Sequence, residues 1–423
     1  MKPNYEWKTA MNLLKIKRLR KGQIKLIQSL MNGNDTLTIA PTSFGKSAIY
    51  QIPALCHSDK LTIVIEPTLA LMHNQVQTLK DHDIAADYVD HLRKPKDVIS
   101  ILNKAQKGKL TFLYVTPERL RSKHFQEAIR ETALYMLVID ECHCITEWGY
   151  TFRDAYLEIG SFIDSLPKCP VIFACSATIL GDKQEEIINL LHMHNPKTFR
   201  MNLKRDNLIL MKKDMTGNKK PLETRLQERF KMMAKYVKKY KKNGSVIIYA
   251  LTTNYVDAIY NYLSDLYPGD VVKYHSQIKP DKLKHQMEMD FLTGRKKIMV
   301  ATTAFGMGID VPDVELILHF NIPISMTDYI QQLGRAGRDG RKAHCVFFYD
   351  HNGDDDKIIA SLIKKSAENP KALAIMKKNH QQISEFVDST NCMVQDILSY
   401  QGQEETKSCK CCTNCAKNRR GNK

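Results

Sequence analysis

The stretch Leu37-Thr-Ile-Ala-Pro-Thr-Ser-Phe-Gly-Lys-Ser47 joins a short apolar run to a loop that ends in Gly-Lys-Ser. A strand, such a loop and then a segment that can form a helix, here 48–55, are typical of phosphate-binding loops in parallel α/β proteins. Ala40 replaces the usual first glycine, and Gly-Lys-Ser alone could belong to an ordinary surface loop. The context favours a nucleotide site, comprising Thr42, Ser43, Phe44, Gly45, Lys46, Ser47 and Ala48. Lys46 can neutralise the β and γ phosphate oxygens, and the Ser47 hydroxyl can ligate Mg²⁺.

Apolar β-rich runs recur on both sides of a lysine-rich stretch, 212–242, which itself shows no strand pattern. Continuous rather than alternating apolar runs indicate strands covered on both faces, and hence parallel sheets. The first series comprises 61–65, 111–115, 134–139 and 170–174, and the second comprises 245–249, 271–274, 297–301, 314–318 and 345–349. We therefore predict an α/β fold with two parallel-sheet domains, 1–205 and 206–350, then a helical segment, 351–415, and a basic tail, 416–423.

Composition limits the class of protein further. A chain of 423 residues with 43% hydrophobic residues can form more than one core. The formal charge of +17 favours a polyanionic partner, and nucleic acid in particular beside a nucleotide motif, although charge can also serve solubility alone. The 11 cysteines are mostly single residues in apolar stretches, which indicates reduced thiols. No apolar run reaches bilayer length, so we predict an intracellular protein, cytoplasmic or nuclear, without a membrane partner.

A second nucleotide element is predicted in Leu137-Val-Ile-Asp-Glu-Cys-His143, where an apolar strand ends in adjacent carboxylates. Asp140 can hold Mg²⁺ through water, and Glu141 can orient or deprotonate the attacking water. An Asp-Glu pair after a strand is often only a solvated turn, but His143 and the preceding phosphate loop make that alternative weaker. Ser176-Ala-Thr178 follows another strand and adds two hydroxyls where ligands commonly bind in parallel sheets.

The carboxyl-terminal cysteines have metal-ligand spacing. Cys392, Cys409, Cys412 and Cys415 offer four thiolates for a closed tetrahedral zinc site. Cys411 could replace a neighbour as ligand, and free thiols in a basic tail are the alternative. Four cysteines leave no open position, so we predict a structural Zn²⁺ that holds the helical segment against the second domain.

Across residues 16–415, the order of motifs resembles that of RecQ-family DNA helicases of superfamily two. The motifs that carry this resemblance are Arg20-Lys-Gly-Gln23, Tyr50-Gln-Ile-Pro-Ala-Leu55, Asp140-Glu-Cys-His-Cys-Ile-Thr-Glu-Trp-Gly-Tyr-Thr-Phe-Arg153, Ala304-Phe-Gly-Met-Gly-Ile-Asp310 and Gln331-Gln-Leu-Gly-Arg-Ala-Gly-Arg-Asp-Gly340. The resemblance implies two tandem RecA-like domains and a small helical zinc-binding subdomain. The chain departs from the family at Glu147, Tyr150 and Asp154, where RecQ proteins usually carry glutamine, histidine and proline.

The resemblance also implies roles for individual residues at the nucleotide. Arg20 and Gln23 belong to the adenine-reading element, and Gly308 and Asp310 to a further nucleotide motif. Gln331, Arg335 and Arg338 belong to the catalytic set, with Arg338 as arginine finger and Arg335 as its partner on the γ-phosphate. His143 is assigned to the same catalytic set. On this interpretation one ATP is held from two domains, and hydrolysis drives stepping along a strand.

Nucleic-acid contacts are predicted chiefly in the aromatic-rich loop after the carboxylates. Trp148, Phe152 and Arg153 are suited to stacking on unpaired bases, although aromatic residues are more often core residues. Weaker candidates, each equally compatible with turn or capping chemistry, are Thr116, Arg119, His275 and Thr303.

The resulting prediction is an ATP-dependent, RecQ-like DNA helicase that moves 3′-to-5′ on single-stranded DNA and unwinds duplex, forked or branched DNA. It would use ATP, Mg²⁺ and Zn²⁺, act as a monomeric motor core, and serve DNA repair, recombination or replication. The chain ends soon after the cysteines, where RecQ proteins commonly continue into a winged-helix domain, so unwinding is expected to be weak. The alternatives are a DExH RNA helicase and an ATP-gated DNA-binding or displacement factor.

Overall fold

A computed structural model describes residues 5–90, 92–147, 149, 153–180, 183–216, 221–305, 311, 313–350, 355–367 and 369–421. The chain divides into two compact units, Met1–Leu203 and Lys204–Lys423. Among the described residues, no helix is both long enough and apolar enough to cross a membrane. All 11 cysteines are free thiols, and only Cys169 in the first unit and Cys411 in the second are exposed.

The first unit is a seven-stranded parallel sheet with helices between its strands. Its elements are α1 (Trp7–Leu13), α2 (Gln23–Met31), β1 (Thr36–Ile39), α3 (Lys46–Cys56), β2 (Leu61–Ile65), α4 (Leu69–Lys80), β3 (Ala86–Val89), α5 (Pro95–Gln106), β4 (Phe112–Val115), α6 (Lys123–Arg130), β5 (Leu134–Asp140), α7 (Cys144–Glu147), α8 (Ile159–Asp164), β6 (Val171–Ser176), α9 (Lys183–Leu190) and β7 (Lys197–Arg200). The strand order is β3-β4-β2-β5-β6-β1-β7. Every residue of β1, β2 and β4 is buried, as expected for strands covered on both faces.

The second unit contains a six-stranded parallel sheet, with strand order β10-β11-β9-β12-β13-β8. Its elements are β8 (Leu208–Asp214), α10 (Leu222–Tyr240), β9 (Ser245–Tyr249), α11 (Thr253–Leu266), β10 (Val271–Tyr274), α12 (Asp281–Leu292), β11 (Ile298–Ala301), β12 (Val314–His319), α13 (Met326–Leu333), β13 (Ala343–Tyr349), α14 (Asp355–Ser366), α15 (Pro370–Asp388), α16 (Met393–Tyr400) and α17 (Thr413–Gly421). The predicted fold of two parallel-sheet domains followed by helices is confirmed.

Two separate cores cover the faces of the second sheet. On one face, Met233 and Val237 of α10 pack with Ile259 of α11. On the other, residues from α12 to α16 form a single cluster that includes Phe347 of β13 and Cys392. The helices after residue 355 therefore share a core with the sheet, and the division at residue 351 remains a prediction.

One expectation about secondary structure was wrong. The lysine-rich stretch 212–242 was expected to contain no strand, yet β8 runs through Lys212 and forms an edge of the second sheet. The Lys212 side chain is buried, and its Nζ donates to the carbonyl oxygens of Val387, at 2.7 Å, and Ser389. Carbonyl oxygens from distant positions in the chain thus compensate for burying the lysine cation in a strand. The local sequence gives no sign of these partners.

Candidate functional sites

Strand register brings the nucleotide motifs of the first unit to one edge of its sheet. Ile39 of β1 pairs with Ser176 of β6, and Cys175 of β6 pairs with Asp140 of β5. All these strands are parallel, so the phosphate loop, the Asp140-Glu141 pair and Ser176 follow the same carboxyl edge. This edge is where ligands generally bind in open parallel α/β sheets.

The phosphate loop has a backbone shape that requires glycine. Residues Thr42–Phe44 form a single 3₁₀ turn, and Gly45 adopts φ +79° before α3 begins at Lys46. A Cβ atom at Gly45 would lie 2.9 Å from Nε2 of Gln23, closer than unstrained packing permits. The loop therefore ends at a helix N-terminus, where backbone N–H groups and the helix dipole favour phosphate.

Lys46 and the two carboxylates face one point. The Lys46 Nζ lies 2.7 Å from Oε1 of Glu141 and 3.4 Å from Oδ1 of Asp140, and the lysine is 7% exposed. Burial by itself lowers the pKa of the Lys46 ammonium, but Glu141 and Asp140 outweigh it and raise that pKa well above its usual value. The loop lysine thus remains charged next to the residues predicted to hold Mg²⁺ and orient water.

His143 links the carboxylates to the neighbouring strand. Its Nδ1 lies 2.7 Å from Oγ of Ser176 and 3.4 Å from Oε2 of Glu141. The backbone N–H of Thr178 donates to the same Ser176 hydroxyl at 3.1 Å. Burial lowers the pKa of His143 to about 4, although Glu141 opposes the shift, so the ring is neutral near pH 7. Ser176 and Thr178, a weak signal in the sequence, are therefore connected to the catalytic set.

Ser47, the other predicted Mg²⁺ ligand, lies in the first turn of α3 and is partly buried. Its Oγ accepts a hydrogen bond of 3.2 Å from Nε2 of Gln75. The hydroxyl oxygen keeps further acceptor capacity, so Ser47 and Asp140 fit the hard oxygen ligands that Mg²⁺ prefers.

Gln23, predicted to read adenine, is bonded to the phosphate loop instead of facing solvent. Its Oε1 accepts from the backbone N–H of Arg20 at 2.6 Å, and its Nε2 donates to the carbonyl oxygens of Phe44, at 2.9 Å, and Gly45, at 3.1 Å. Gln23 is 3% exposed, whereas Arg20 is exposed. Gln23 therefore supports the shape of the loop, and its predicted contact with adenine remains a prediction.

Sequence reasoning missed Glu66, a third carboxyl group near this site. The register of Ile65 opposite Ile139 places Glu66 beside Asp140, one strand further from the phosphate loop. The residue is fully buried, and neither carboxyl oxygen has a hydrogen-bond partner within the described part of the chain. Burial, followed by the charges of Asp140 and Glu141, raises the pKa of Glu66 well above its usual value. Only its position at the end of an apolar strand could have suggested it.

In the second unit, Gln331, Arg335 and Arg338 lie at the end of α13 and in the turn that follows. Arg335 is 4% exposed and lies near Tyr249. Burial raises the pKa of Tyr249, and the Arg335 charge opposes this shift. Arg338 is partly exposed, and its Nε donates to the Gly334 carbonyl at 3.2 Å. The structure thus groups these arginines in one turn.

Two residues that the sequence did not single out hold that turn in place. An Nη2 of Arg205 donates to the carbonyl oxygens of Ala336, at 2.8 Å, and Gly337, at 3.0 Å. Nδ2 of Asn207 also donates to the Gly337 carbonyl, at 2.8 Å. Gly337 has φ +54°, and a Cβ there would lie 2.5 Å from Nδ2 of Asn207. Arg205 and Asn207 precede β8 in the sequence, and only the fold brings them to the turn that carries Arg335 and Arg338.

The predicted nucleic-acid contacts fall in both units and partly outside the described residues. Trp148 and Phe152 lie outside the described residues, as do Gly308 and Asp310 of the predicted nucleotide set. Arg153 forms a two-pronged ion pair with Glu118, with Nε–Oε1 and Nη2–Oε2 distances of 2.8 and 3.0 Å. Arg153 is therefore engaged within the first unit, although part of its side chain remains exposed.

The weaker candidates differ in accessibility. Thr116 is buried, and Nη2 of Arg119 donates to the Asp90 carbonyl at 2.7 Å. His275 is 4% exposed, and its Nε2 lies 3.3 Å from Oδ1 of Asp257. Thr303 alone of these four is exposed, at the carboxyl edge of the second sheet just after β11. Direct contact with a phosphate is thus most easily made by Thr303.

The four predicted zinc ligands come together. The Sγ atoms of Cys392, Cys409, Cys412 and Cys415 all lie within 4.8 Å of one another, and those of Cys409 and Cys415 are 3.9 Å apart. Tetrahedral zinc with Zn–S bonds of about 2.3 Å requires sulfur atoms about 3.8 Å apart, so the cluster fits the ion. Cys411 is exposed and does not belong to this group of four.

Backbone N–H groups favour the thiolate of Cys392 in this cluster, whereas burial raises the pKa of the Cys409, Cys412 and Cys415 thiols. The N–H of Cys409 donates to Sγ of Cys392 at 3.2 Å, and the N–H of Cys412 donates to Sγ of Cys409 at 3.3 Å. Burial by itself raises the pKa of Cys392, but amide donors, first that of Cys409, outweigh it and lower the pKa to about 7. Asn414 ties the cluster to the preceding loop through the carbonyl oxygens of Ser389 and Asn391, at 2.9 and 2.7 Å.

These features define a class of protein: a superfamily-two helicase core. Family models agree with this assignment along the chain. Residues 20–187 match the DEAD/DEAH box helicase model, 228–340 match the helicase conserved C-terminal domain, and 353–416 match the RecQ zinc-binding domain. The last match supports the interpretation of the cysteine cluster as part of a zinc-binding domain.

Curated relatives narrow the class. The chain is 34% identical over 405 residues to the ATP-dependent DNA helicase RecQ of Bacillus subtilis, covering 95% of this chain and 65% of the relative. It is 32% identical over 413 residues to RecQ of Haemophilus influenzae, covering 96% and 63%. The chain belongs to the RecQ family of helicases. It spans slightly less than two thirds of the length of these two bacterial relatives.

A viral relative is named differently. A protein of Acanthamoeba polyphaga mimivirus, named as a candidate ATP-dependent RNA helicase, is 32% identical over 406 residues, covering 94% of this chain and 69% of that protein.

Solved structures support the fold. Mss116p bound to single-stranded RNA and AMP-PNP matches with a TM-score of 0.68 at 18% identity, covering 95% of this chain and 88% of that chain. MrfA bound to DNA and AMPPNP also matches with a TM-score of 0.68, at 19% identity, covering 96% and 59%. At such low identity these matches bear on the fold alone, and they confirm the predicted RecA-like architecture.

Proposed function

We propose that this chain is the motor of an ATP-dependent DNA helicase that moves 3′-to-5′ on single-stranded DNA and unwinds forked or branched duplexes. The observation that carries the proposal is the convergence of Lys46, Asp140 and Glu141 at the carboxyl edge of the first sheet. Membership of the RecQ family favours DNA as the track. Repair, recombination and replication are the processes that such an activity would serve.

The chemistry assigned to the nucleotide site follows from its residues. Lys46 neutralises the β and γ phosphate oxygens, and Glu141 orients the attacking water and accepts its proton. A Mg²⁺ ion held by Ser47 and Asp140 would neutralise phosphate charge. Neutral His143 keeps Glu141 and Ser176 in a fixed relation. We assign stabilisation of transition-state charge on the γ-phosphate to Arg338 and Arg335.

The decisive experiment measures ATP hydrolysis with single-stranded DNA and with RNA of the same sequence, and strand separation on a forked duplex. We expect DNA to stimulate hydrolysis more than RNA, and ATP to be required for unwinding. Stronger stimulation by RNA would overturn the proposal in favour of an RNA helicase, the second candidate, which the name of the mimivirus relative favours. Hydrolysis stimulated by DNA without strand separation would instead indicate an ATP-gated DNA-binding or displacement factor.

Two variants test the assignment of the nucleotide site. Lys46→Ala should abolish hydrolysis and leave DNA binding largely intact, because the phosphates lose their principal cation. Since this change leaves the buried Asp140 and the partly buried Glu141 without their cation, Glu141→Gln provides a second variant of unchanged volume, which should bind nucleotide but not hydrolyse it. Lys104→Ala, at an exposed position of α5, is the control. Hydrolysis that survives in both site variants would refute the assignment.

A further inference from the structure

Helix α10 carries a row of lysines that no motif explains. Between residues 231 and 242 the sequence contains six lysines and no acidic residue. Five of them are exposed; Lys239 lies over the Tyr240 ring, and the other four are Lys231, Lys235, Lys238 and Lys242. Within the part of the chain that the structure describes, the side chains of these four lysines make no hydrogen bond and no ion pair. Their charges are therefore open to a partner outside the chain.

Helical geometry places three of the four lysines on one side, since the spacing of Lys231, Lys235 and Lys238 falls along one face of a helix with 3.6 residues per turn. Lys242 lies in the turn just after α10, two residues beyond its last residue, Tyr240. Met233, Val237 and Tyr240, which are buried, lie on the opposite face and pack on the second sheet. Lys241, between the faces, is paired with Asp270 and is not part of the row. Its helical part, from Lys231 to Lys238, extends about 10 Å at 1.5 Å per residue.

Helix stability alone does not account for this row. Lysines in the last turn interact favourably with the helix dipole, which explains Lys238 and Lys239. Lys231 and Lys235 lie further from the end, and like charges four residues apart repel one another. Repulsion within the row therefore disfavours the isolated helix, and an anionic partner would offset that repulsion.

The row and Thr303 lie toward opposite edges of the second sheet. Helix α10 ends at Tyr240 and β9 begins at Ser245, so Lys238 and Lys242 lie toward the amino edge of a parallel sheet. Thr303 follows the opposite, carboxyl edge. A ligand at the lysine row would thus bind separately from a strand at the carboxyl edge.

We propose that Lys231, Lys235, Lys238 and Lys242 bind the sugar-phosphate backbone of double-stranded DNA. The inference rests on the proposed helicase function and adds a second DNA site to it. Lysines act as point charges on phosphates and read no base. The row presents no aromatic side chain on which unpaired bases could stack, which favours duplex over single-stranded DNA. The site would hold the duplex arm of a fork.

The test is the salt dependence of binding to a blunt 20-base-pair duplex, measured by fluorescence anisotropy without nucleotide. The variant Lys231→Gln/Lys235→Gln/Lys238→Gln/Lys242→Gln keeps helix propensity and side-chain length. Its matched control replaces four exposed lysines on and just after α5: Lys96→Gln/Lys104→Gln/Lys107→Gln/Lys109→Gln. Circular dichroism verifies that both variants are folded.

We expect the slope of log K against log salt to fall by about 3 to 4 for the α10 variant, since each phosphate contact contributes about 0.9. At low salt we expect about tenfold weaker duplex binding or more. Hydrolysis stimulated by a saturating short single strand should remain unchanged. The α5 control should alter the slope by less than half as much.

Several outcomes would overturn the proposal. An unchanged slope, or an equal change in the α5 control, would show that the row makes no specific contact. Loss of single-strand binding with duplex binding intact would assign the row to the translocated strand. Binding to phosphatidylserine vesicles that depends on the row, with an unchanged duplex slope, would assign it to a lipid surface. If the wild-type protein lacks DNA-stimulated hydrolysis, the proposed function fails, but the duplex slope still decides this inference.

Discussion

Glu66 shows how one residue at the nucleotide edge can control stability. Its carboxyl group is fully buried without a hydrogen-bond partner among the described residues, and its pKa is raised. Below its usual pKa of 4.5, Glu66 is protonated in both folded and unfolded chains, so it adds no pH dependence. Above that value the unfolded chain loses the proton while the folded chain keeps it. The free energy of unfolding therefore decreases as pH rises, until pH reaches the raised pKa.

Glu66→Gln should remove this decrease in the free energy of unfolding with rising pH. The neutral amide needs no proton, so we expect the variant to gain stability relative to wild type between pH 5 and pH 8. The gain should be about 1.4 kcal/mol for each pH unit over which the folded carboxyl stays protonated. Chemical denaturation at pH 5, 6, 7 and 8 measures it. Glu127→Gln, at an exposed position of α6, is the control and should show no such trend. A gain in stability that does not depend on pH would contradict the interpretation that Glu66 is protonated in the folded chain.

Gly45 offers a second test at the scale of one residue. Gly45 and Gly33 both have positive φ, +79° and +76°, but only Gly45 has a neighbour within reach of a Cβ, the amide of Gln23. Gly33→Ala should lower stability by about 1 kcal/mol through backbone strain alone. Gly45→Ala should lose at least as much and also bind ATP analogues several-fold more weakly, because Gln23 must move. Equal nucleotide affinity in the two variants would show that Gln23 does not support the loop.

Site residues could be predicted from the sequence where their position relative to a nearby strand or loop in the chain determines their role. Asp140 and Glu141 stand at the end of one apolar strand, Lys46 follows another after a short loop, and parallel register then brings them together. Glu66, Arg205 and Asn207 could not be predicted, because their partners come from distant positions and are set only by register and packing. Gln23 was assigned to adenine by resemblance, whereas its bonds to Phe44 and Gly45 depend on the final shape of the loop.

Among the elements, β8 and the cysteine cluster depend on each other. Nζ of Lys212 in β8 bonds to carbonyl oxygens just before the cluster, and the backbone N–H of Lys212 donates to Oγ1 of Thr413 at 3.1 Å. The strand was missed because lysine is rare in buried strands, and only the packed loop after α15 supplies its partners. The core strands of both sheets were predictable because continuous apolar runs are typical of them.

Loss of one zinc ligand should loosen this element and leave the nucleotide site intact. Cys412→Ser, or removal of zinc with a chelator, should make residues 389–415 sensitive to protease, because three remaining thiolates cannot complete a tetrahedral site. ATP binding should not change. Cys411→Ser is a matched control, since this adjacent thiol is exposed and outside the cluster. Equal sensitivity of the two variants would argue against the assigned ligands.

At the scale of the whole molecule, each unit has cores of its own, which predicts separable unfolding. A ligand stabilises the state that binds it, by about 2.7 kcal/mol at one hundred times its dissociation constant. In calorimetry we expect two transitions. AMP-PNP with Mg²⁺ should raise mainly the transition of the first unit, and chelation of zinc should lower mainly that of the second.

Lys46→Ala serves as the control for these assignments, since it should abolish the shift with AMP-PNP and leave the effect of chelation unchanged. A single transition that both treatments move together would show that the two units unfold cooperatively.

The two exposed thiols have a practical consequence for observing the motor at work. Cys169 belongs to the first unit and Cys411 to the second, and the other nine cysteines are buried or partly buried. A maleimide pair of donor and acceptor dyes could therefore be attached to the native sequence, one dye on each unit. If the proposed function holds, energy transfer between them would report nucleotide binding and release in single molecules, without any engineered cysteine.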